Sequence, residues 1–166
     1  MPILPIRRFP DAILKAPSRR IEHVTPEVRR LIDDMVQTMR HHRRCVGLAA
    51  PQVGAPCAVA VMDVAGHPKA EGAGGLQVLI NPEVLAEEGS VMQREGCLSI
   101  PDLTGNARRA QRVQIKAQDA SGVTWVQWFE GFEAIAAQHE VDHLNGTLFL
   151  DRVENVRTGV FRRKNY

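Results

Sequence analysis

Hydrophobic positions between Thr25 and Arg44 recur every three or four residues, which is the period of an amphipathic helix with one buried face. Thr25 followed by Pro26 is a typical helix start. Residues 40–44 are basic, and cations suit the negative end of a helix dipole. We therefore predict a helix that begins at Pro26 and ends in this basic run. Its buried stripe comprises Val28, Leu31, Ile32, Met35 and Met39.

Short apolar runs follow, separated by Gly, Pro, Asn and Asp, and this pattern is typical of strands joined by turns. Most of the runs lie too close together for a helical crossover, so we expect antiparallel pairing. Residues 65–75 are rich in glycine and predict an exposed loop. The predicted strands are Ala58 to Val64, Leu76 to Ile80, Val84 to Ala86, Val113 to Ala117 and Val123 to Phe129.

A second helical pattern runs from about Phe132 to Leu144 and stops at Asn145-Gly146, a typical left-handed helix end. This helix has two apolar stripes, one of Phe132, Ile135, Ala136, His139 and His143, the other of Ala137, Val141 and Leu144. A helix that is apolar on two sides is central and buried. The order of elements predicts an α+β fold, with antiparallel sheets packed around this central helix.

Length and composition add limits to this fold. A chain of 166 residues with 44% hydrophobic and 24% charged residues fits one globular domain and excludes disordered, collagen-like and coiled-coil proteins. The net charge of +2 does not indicate a nucleic-acid or membrane partner, and we expect no specific DNA binding. Within the single domain of residues 1–166, residues 153–166 are expected to form a short, basic, solvated tail. A transient contact of this tail with the ribosome is the alternative.

The longest uncharged stretch, from Cys45 to Met62, contains Pro51 and Pro56, so it is not a membrane-spanning helix. The N-terminal segment shows no pattern of an export signal. The three cysteines are odd in number and too few for a disulfide framework, which favours a reducing compartment. These features predict a cytoplasmic protein without a membrane partner.

The second helix contains His139-Glu140-Val141-Asp142-His143, an H-E-x-x-H motif. Four-residue spacing places both imidazoles on one helix face, where two nitrogens can bind the same metal ion. Glu140 lies about 100° around the helix, from where it can reach a water on that metal. The alternative, a pair of core histidines, requires a separate buried hydrogen-bond partner for each ring. The motif therefore predicts a metal site.

A catalytic site with a tetrahedral metal keeps three protein ligands, so a third ligand is needed. Cys97 is the best candidate, because it lies in Glu95-Gly96-Cys97-Leu98-Ser99-Ile100-Pro101, where glycine and proline allow a tight, rigid backbone. Cys45 and Cys57 lack such neighbours and are expected to be small buried hydrophobic residues. A thiolate with two imidazoles suits Fe(II), Zn, Co or Ni, and the affinity order does not choose between them.

The segment Gly47-Leu48-Ala49-Ala50-Pro51-Gln52-Val53-Gly54 is a third candidate part of the site. Its small residues let a ligand approach the backbone, and Gln52 offers an amide donor in apolar surroundings. A glycine-bounded turn between a helix and a strand would explain the same residues. The segment alone therefore leaves the function open.

Together, GLAAPQVG, EGCLSIP and QHEVDHL, in this order and spacing, resemble the peptide deformylases. These metal hydrolases remove formate from the N-terminal formylmethionine of nascent polypeptides. The resemblance extends through Asp151 and weakens beyond Arg152. The chain departs from the family at Cys45, where glycine is common, and at Glu133 and Ala136, where larger apolar residues are frequent. These departures bear on substrate preference more than on catalysis.

The resemblance implies a role for each candidate residue. The metal, with Fe(II) as the physiological ion, would be bound by Cys97, His139 and His143. Glu140 would act as general base and acid, and Gln52 with the Leu98 backbone N–H would stabilise the oxyanion. Formylated nascent peptides would pair with the backbone at Gly47 as an added strand. By position, the methionine pocket would be lined by Val46, Phe132, Ile135 and Ala136, and Glu95 and Arg109 would support the ligands.

Other functions fit part of the pattern. A general metallopeptidase also uses H-E-x-x-H, but it needs a further His or Glu ligand downstream, and residues 144–166 contain no His. A blue-copper carrier uses two His and one Cys, but on the loops of a sandwich with an axial Met. A deformylase-like paralogue with an altered N-acyl substrate, or with a structural metal only, is the third alternative.

Overall fold

The computed structural model describes residues 2–72 and 74–164, which form helices and antiparallel strands. The helices are α1 (Pro26–His41), α2 (Gly131–Leu144) and the single-turn α3 (Val156–Gly159), and short 3-10 turns span Ala12–Lys15, Ala50–Val53 and Phe149–Arg152. The strands are β1 (Gly47–Ala49), β2 (Val59–Met62), β3 (Gln77–Glu88), β4 (Val91–Cys97), β5 (Ile100–Arg109), β6 (Arg112–Gln118), β7 (Thr124–Glu130) and β8 (Val160–Arg162). Among the described residues, no helix has the length and apolar character needed to cross a membrane.

The described strands form two antiparallel sheets. The larger sheet has the order β1-β2-β3-β6-β7, and the smaller has the order β4-β5-β8. β1 and β4 are therefore edge strands, each with one side free for hydrogen bonds to another chain. This arrangement of helices and antiparallel sheets confirms the predicted α+β fold.

The larger sheet is covered by a helix on each face. Val59 and Val61 of β2 pack with residues of α1, whereas Ala60 and Met62 pack with residues of α2. This double burial explains why β2 reads as an uninterrupted apolar run rather than an alternating one. α2 is buried over most of its length, as its two apolar stripes predict.

Both predicted helices begin and end close to the expected residues. Thr25 caps α1 by accepting a hydrogen bond from the backbone N–H of Val28 at 3.4 Å. On the predicted stripe, Ile32, Met35 and Met39 are buried. After α2, Gly146 adopts the left-handed conformation with φ +73°, which confirms the predicted helix end.

The prediction of separate strands at Leu76 to Ile80 and Val84 to Ala86 is wrong, because the chain continues through both as β3. The pairing of β3 with β6 is irregular between Ile80 and Glu83. Asn81 lies at this irregularity and has φ +51°. Its side chain accepts from the N–H of Ile21 and donates to the carbonyl of Ile21, at 2.8 Å each. A side-chain bond to a distant loop thus keeps the strand continuous where the sequence suggests a turn.

The prediction of a solvated C-terminal tail is wrong for residues 160–162. These residues form β8 and pair with β5, with Gly105 opposite Val160 and Leu103 opposite Arg162. The following Arg163 donates its backbone N–H to the carbonyl of Asp102 at 2.9 Å. The last residues of the basic tail, 165 and 166, lie outside the described residues.

Candidate metal centre

The fold brings the three predicted metal ligands together. His139 and His143 lie one turn apart on α2, with ring centroids 4.9 Å apart. Cys97 is the last residue of β4, and its Sγ lies 3.3 Å from His143 Nε2. One donor atom from each residue can be chosen so that all lie within 4.8 Å of one another. A single small ion can therefore contact all of them.

The chemistry of these donors fits a divalent transition metal. Burial alone would raise the pKa of Cys97, but His143 and His139 outweigh burial and lower it well below its ordinary value. A thiolate is the form of cysteine that binds metals. His139 uses Nδ1 for a hydrogen bond to Glu95, which leaves Nε2 as the ligand atom. The donor set is one thiolate and two imidazoles, which matches an open catalytic site.

A buried ion-pair network supports the ligands. Arg109 donates Nε and Nη2 to the carboxylate of Glu95, at 2.7 and 2.9 Å, and its Nη1 bonds to Asp142. Glu95 also accepts from His139 Nδ1 at 2.7 Å. Asp142, which lies inside the H-E-x-x-H motif, accepts from Arg152 Nη2 at 2.8 Å. The network therefore joins β4, β5, α2 and the turn Phe149–Arg152 around His139.

Glu140 lines the same cavity as Cys97 and His139, two of the candidate metal ligands. It is 4% exposed, and its Oε2 has no hydrogen-bond partner among the residues that the structure describes. Burial raises the pKa of Glu140 to about 7, despite the opposing effect of the two histidines. A carboxyl with a pKa near neutrality can both accept and donate a proton at physiological pH.

Gly47 allows Glu140 to occupy this position. A Cβ at residue 47 would lie 2.2 Å from Glu140 Oε1, which is closer than non-bonded atoms approach. The glycine thus leaves room for the Glu140 side chain. The same residue exposes the backbone of edge strand β1 to the cavity.

Gln52 lies in the turn Ala50–Val53 and is fixed at both ends of its amide. Its Oε1 accepts the backbone N–H of Ala49 at 2.9 Å. Its Nε2 lies 3.3 Å from Cys97 Sγ and 3.2 Å from Ser99 Oγ. The donor end of the side chain is therefore aimed at Cys97, one of the candidate metal ligands.

These groups surround a cavity of about 460 Å³. The predicted site residues that line it are Val46, Gly47, Gln52, Cys97, Leu98, Phe132, Ile135, Ala136, His139 and Glu140. His143, which is 1% exposed, lies behind this lining and reaches the site through its contact with Cys97. The structure thus brings the whole predicted set to one place.

Several further residues line the cavity although they were not among the predicted site residues: Arg43, Arg44, His67, Pro68, Lys69, Arg94, Gly96 and Arg163. His67 lies in the predicted exposed loop, yet its ring stacks on Phe132 with centroids 4.4 Å apart. Ser99 was also missed, although it stands beside Cys97 in EGCLSIP and could have been singled out as a polar residue in an apolar motif. Nothing in the sequence around the basic residues indicated that their side chains would line the cavity.

Cys45, where the chain departs from the family pattern, also lines the cavity. Burial, with a smaller contribution from Glu140, raises the pKa of Cys45 to about 12. The protonated Sγ donates to the carbonyl of Gly47 at 3.1 Å. Cys45 is therefore a structural thiol beside the site, whereas Cys97 carries the negative charge.

Comparisons with known proteins agree with this geometry. Residues 3–158 match the family model described as polypeptide deformylase. The chain is 43% identical over 164 residues to the peptide deformylase of Alkalilimnicola ehrlichii, covering 99% of this chain and 89% of that one. It is 44% identical over 155 residues to that of Heliobacterium modesticaldum, covering 93% and 97%.

Solved structures show the same similarity. The crystal structure of peptide deformylase from Thermotoga maritima superposes with a TM-score of 0.85 at 35% identity, covering 93% of this chain and all of that one. A Met-Ala-Ser-bound peptide deformylase from Acinetobacter baumannii gives a TM-score of 0.85 at 35% identity, with 92% and 99% covered. The chain therefore belongs to the polypeptide deformylases, the metal-dependent hydrolases that remove the formyl group from nascent polypeptides.

Proposed function

We propose that Cys97, His139 and His143 hold one divalent metal ion and that Glu140 moves the proton in the deformylation reaction. The observation that carries this proposal is the buried Glu140 carboxylate, which has an open Oε2 beside the donor set. A divalent metal on these donors would lower the pKa of a bound water from 15.7 to about 7. Glu140 Oε2 then accepts the proton of the attacking water and delivers it to the leaving methionine nitrogen.

Gln52 and the backbone N–H of Leu98 stabilise the oxygen that becomes negative during the attack. Gln52 Nε2 carries two hydrogens, and its contacts to Cys97 Sγ and Ser99 Oγ hold it beside the reacting centre. One of these hydrogens turns to the substrate oxygen when the peptide binds. A donor that is positioned before the reaction costs little reorganisation, which is why such donors accelerate acyl transfer.

The formylated peptide binds as an additional strand along the free edge of β1, through the backbone at Gly47. Its methionine side chain enters the apolar part of the cavity, lined by Val46, Phe132, Ile135 and Ala136. The relative from A. baumannii has been solved with Met-Ala-Ser bound, and a peptide of that kind fits this arrangement.

We propose Fe(II) as the native ion, with Zn, Ni or Co as substitutes. Thiolate and imidazole ligands suit all of these ions, so a metal-free chain reconstituted with each ion under anaerobic conditions should bind all four. Iron beside a thiolate is expected to make the enzyme sensitive to oxygen. If the Fe(II) form is less active than the Zn form without oxygen present, iron is not the native ion.

The whole of residues 1–166 acts as a single catalytic domain in the cytoplasm, where formylated chains emerge from the ribosome. The three cysteines are all free thiols, which supports a reducing compartment. A transient ribosome contact through Arg157, Arg162, Arg163 and Lys164 would be strongly salt-dependent. Co-sedimentation with ribosomes at low and high ionic strength tests this contact.

The decisive experiment is formate release from a formyl-methionyl peptide by the Fe(II) enzyme under anaerobic conditions, compared with Glu140→Gln. An acetyl-methionyl peptide serves as the control. We expect formate from the wild type only, with metal bound by both proteins. Release of acetate instead would favour the paralogue with an altered N-acyl substrate, and no release with metal bound would favour a structural metal site.

A further inference from the structure

A second cavity of about 520 Å³ adjoins the catalytic one, and the charged residues that line it among the described residues are all basic. Arg44, Arg94 and Arg163 line both cavities, and we call these three residues the basic rim. Of these two cavities, Arg43 and Lys69 line the catalytic one alone, and Arg162 and Lys164 line the second one alone. The basic rim therefore lies where the two cavities meet, which we call the mouth of the catalytic cavity.

The acidic residues of the catalytic cavity form no ion pair with Arg44 or Arg94 in the described part of the chain. Glu95 is buried and already pairs with Arg109 and His139. Glu140 is buried and faces the metal ligands. Since the whole chain carries a net charge of only +2, this local excess of cations is a property of the mouth and not of the protein as a whole.

Arg44 and Arg94 are both exposed. Arg94 lies on edge strand β4, donates Nε to Asn106 at 3.0 Å and packs its guanidinium 3.6 Å from the ring centroid of Phe161. Arg44 precedes β1 in a turn, with φ +65°. Within residues 2–72 and 74–164, neither has an acidic side chain at ion-pair distance.

Arg163 reaches the cavity because it directly follows β8, in the segment predicted to be a solvated tail. Its guanidinium lies over Gly96, where a Cβ would be 2.9 Å from Nη2. Gly96 immediately precedes the proposed ligand Cys97, and Arg163 itself lines the catalytic cavity. Arg94 is two residues before Gly96 on β4, and residues two apart on a strand share a face.

The direction of an extended peptide follows from the two edge strands. The reacting end lies near Glu140 and Gly47, and the chain leaves between β1 and β4. Arg44 precedes Gly47 by three residues. At roughly 3.3 Å per extended residue, the chain reaches the basic rim about 10 Å later, at its third residue.

We propose that the basic rim binds a carboxylate at the third residue of the substrate, so that this enzyme prefers formylated peptides with Asp or Glu at that position. The proposal rests on the deformylase activity argued above and adds the selectivity of its peptide exit. The same chemistry is supplied by a free C-terminal carboxylate of a formylated tripeptide. RNA phosphate is the competing ligand, but the three side chains line the cavity that the peptide itself enters.

The test compares kcat/KM for formyl-Met-Ala-Glu amide and formyl-Met-Ala-Gln amide. We expect a preference for Glu of roughly five- to tenfold at low ionic strength, which shrinks as salt screens the rim. Comparing kcat/KM for formyl-Met-Ala-Ala as the free acid and as the amide shows whether the rim also binds a C-terminal carboxylate. A preference for the free acid without one for Glu over Gln restricts the site to short peptides and overturns the proposed side-chain selectivity.

The variants are Arg44→Gln, Arg94→Gln and their combination, with Arg30→Gln as the matched control. Arg30 is also exposed but lines neither cavity. The combined variant should bring the Glu to Gln ratio close to one, and Arg30→Gln should leave the ratio unchanged. Arg44→Glu should shift the preference toward formyl-Met-Ala-Lys amide, because the charge at the mouth is reversed.

The outcomes of these experiments distinguish a failure of the rim proposal from a failure of the proposed deformylase activity. Equal kcat/KM for the Glu and Gln peptides, with formate released from both, overturns the rim proposal and leaves the deformylase activity intact. No formate from any peptide contradicts the activity itself. If the rim variants lose co-sedimentation with ribosomes while the peptide ratio does not change, the rim is an RNA-binding surface and the proposal is wrong.

Discussion

Arg109 donates two hydrogen bonds to the carboxylate of Glu95, and that carboxylate in turn accepts from His139 Nδ1. The orientation of His139, a proposed metal ligand on α2, thus depends on a guanidinium that lies at the end of β5. Both side chains of the pair are almost fully buried, with 2% and 6% exposure. The pair is therefore a support for the metal site and also a structural ion pair, and these two roles can be measured separately.

Glu95→Gln should weaken metal binding. The amide keeps the shape of the side chain but accepts more weakly from His139 Nδ1. The His139 ring therefore loses the negatively charged partner that orients it. Loss of such a support typically costs 10- to 100-fold in metal affinity. Titration of metal-loaded protein with a competing chelator measures this, with Glu83→Gln as the control because Glu83 is exposed and pairs with Arg20. Unchanged affinity would show that packing alone holds His139.

Arg109→Met should destabilise the fold strongly. The substitution leaves the buried carboxylates of Glu95 and Asp142 without their shared partner, and loss of one partner of a buried ion pair costs about 3–5 kcal/mol. Arg20→Met removes an exposed pair and should cost less than about 1 kcal/mol. Urea unfolding of both variants gives the comparison. Similar losses in the two would mean that the buried network contributes no more than a surface pair.

The stability that Glu95 contributes should depend on pH. Burial alone would raise its pKa, but hydrogen bonds from Arg109 and His139 outweigh burial and hold the pKa at about 2, below the ordinary 4.5. A lowered folded-state pKa contributes stability that is present above pH 4.5 and is lost as the pH falls toward 2. The full contribution is on the order of 3 kcal/mol.

Urea unfolding of wild type and Glu95→Gln, with chelator present throughout, isolates this contribution from metal loss. The difference in unfolding free energy between the two proteins should be largest near neutral pH and should narrow below pH 4.5. A difference that stays constant down to pH 3 would indicate that Glu95 keeps its ordinary pKa in the folded state.

The helices and the cluster of candidate metal ligands are predictable from the sequence because local spacing determines them. Thr25 and Pro26 mark the start of α1, and the four-residue spacing of His139 and His143 fixes their common face whatever the fold around them. Cys97 is predictable from its neighbours in EGCLSIP. In each case the signal lies within a few residues of the feature itself.

Features that depend on pairing between distant segments could not be predicted. β4 and β5 carry charged and glycine positions, such as Arg94 and Gly105, that weaken an alternating pattern. The place of Arg163 beside the metal ligands depends on the pairing of β8 with β5. Asp142 reads as a variable position of the motif, and its partner Arg109 lies on another element.

Gly47→Ala should abolish most of the activity without removing the metal. The added Cβ would lie 2.2 Å from Glu140 Oε1 and must displace that carboxylate. A displacement of about 1 Å at a reacting group can cost on the order of 100-fold in rate. Gly75→Ala is the control, since a Cβ there meets no atom within 4 Å. Gly47→Ala should therefore keep its metal content and lose most of its formate release. A variant with full activity would show that Glu140 does not need its present position.

Gln52→Glu should reduce kcat by roughly 100- to 1000-fold, the typical cost of losing one oxyanion donor. The substitution keeps an oxygen that accepts from the backbone of Ala49 but removes both hydrogens of Nε2. Ser99→Ala removes only the neighbour that Gln52 contacts at 3.2 Å and leaves the donor in place, so its kcat should fall by less than about tenfold. Steady-state formate release gives both values. Equal losses in the two variants would mean that Gln52 acts through the packing around Cys97 and not as a donor to the substrate.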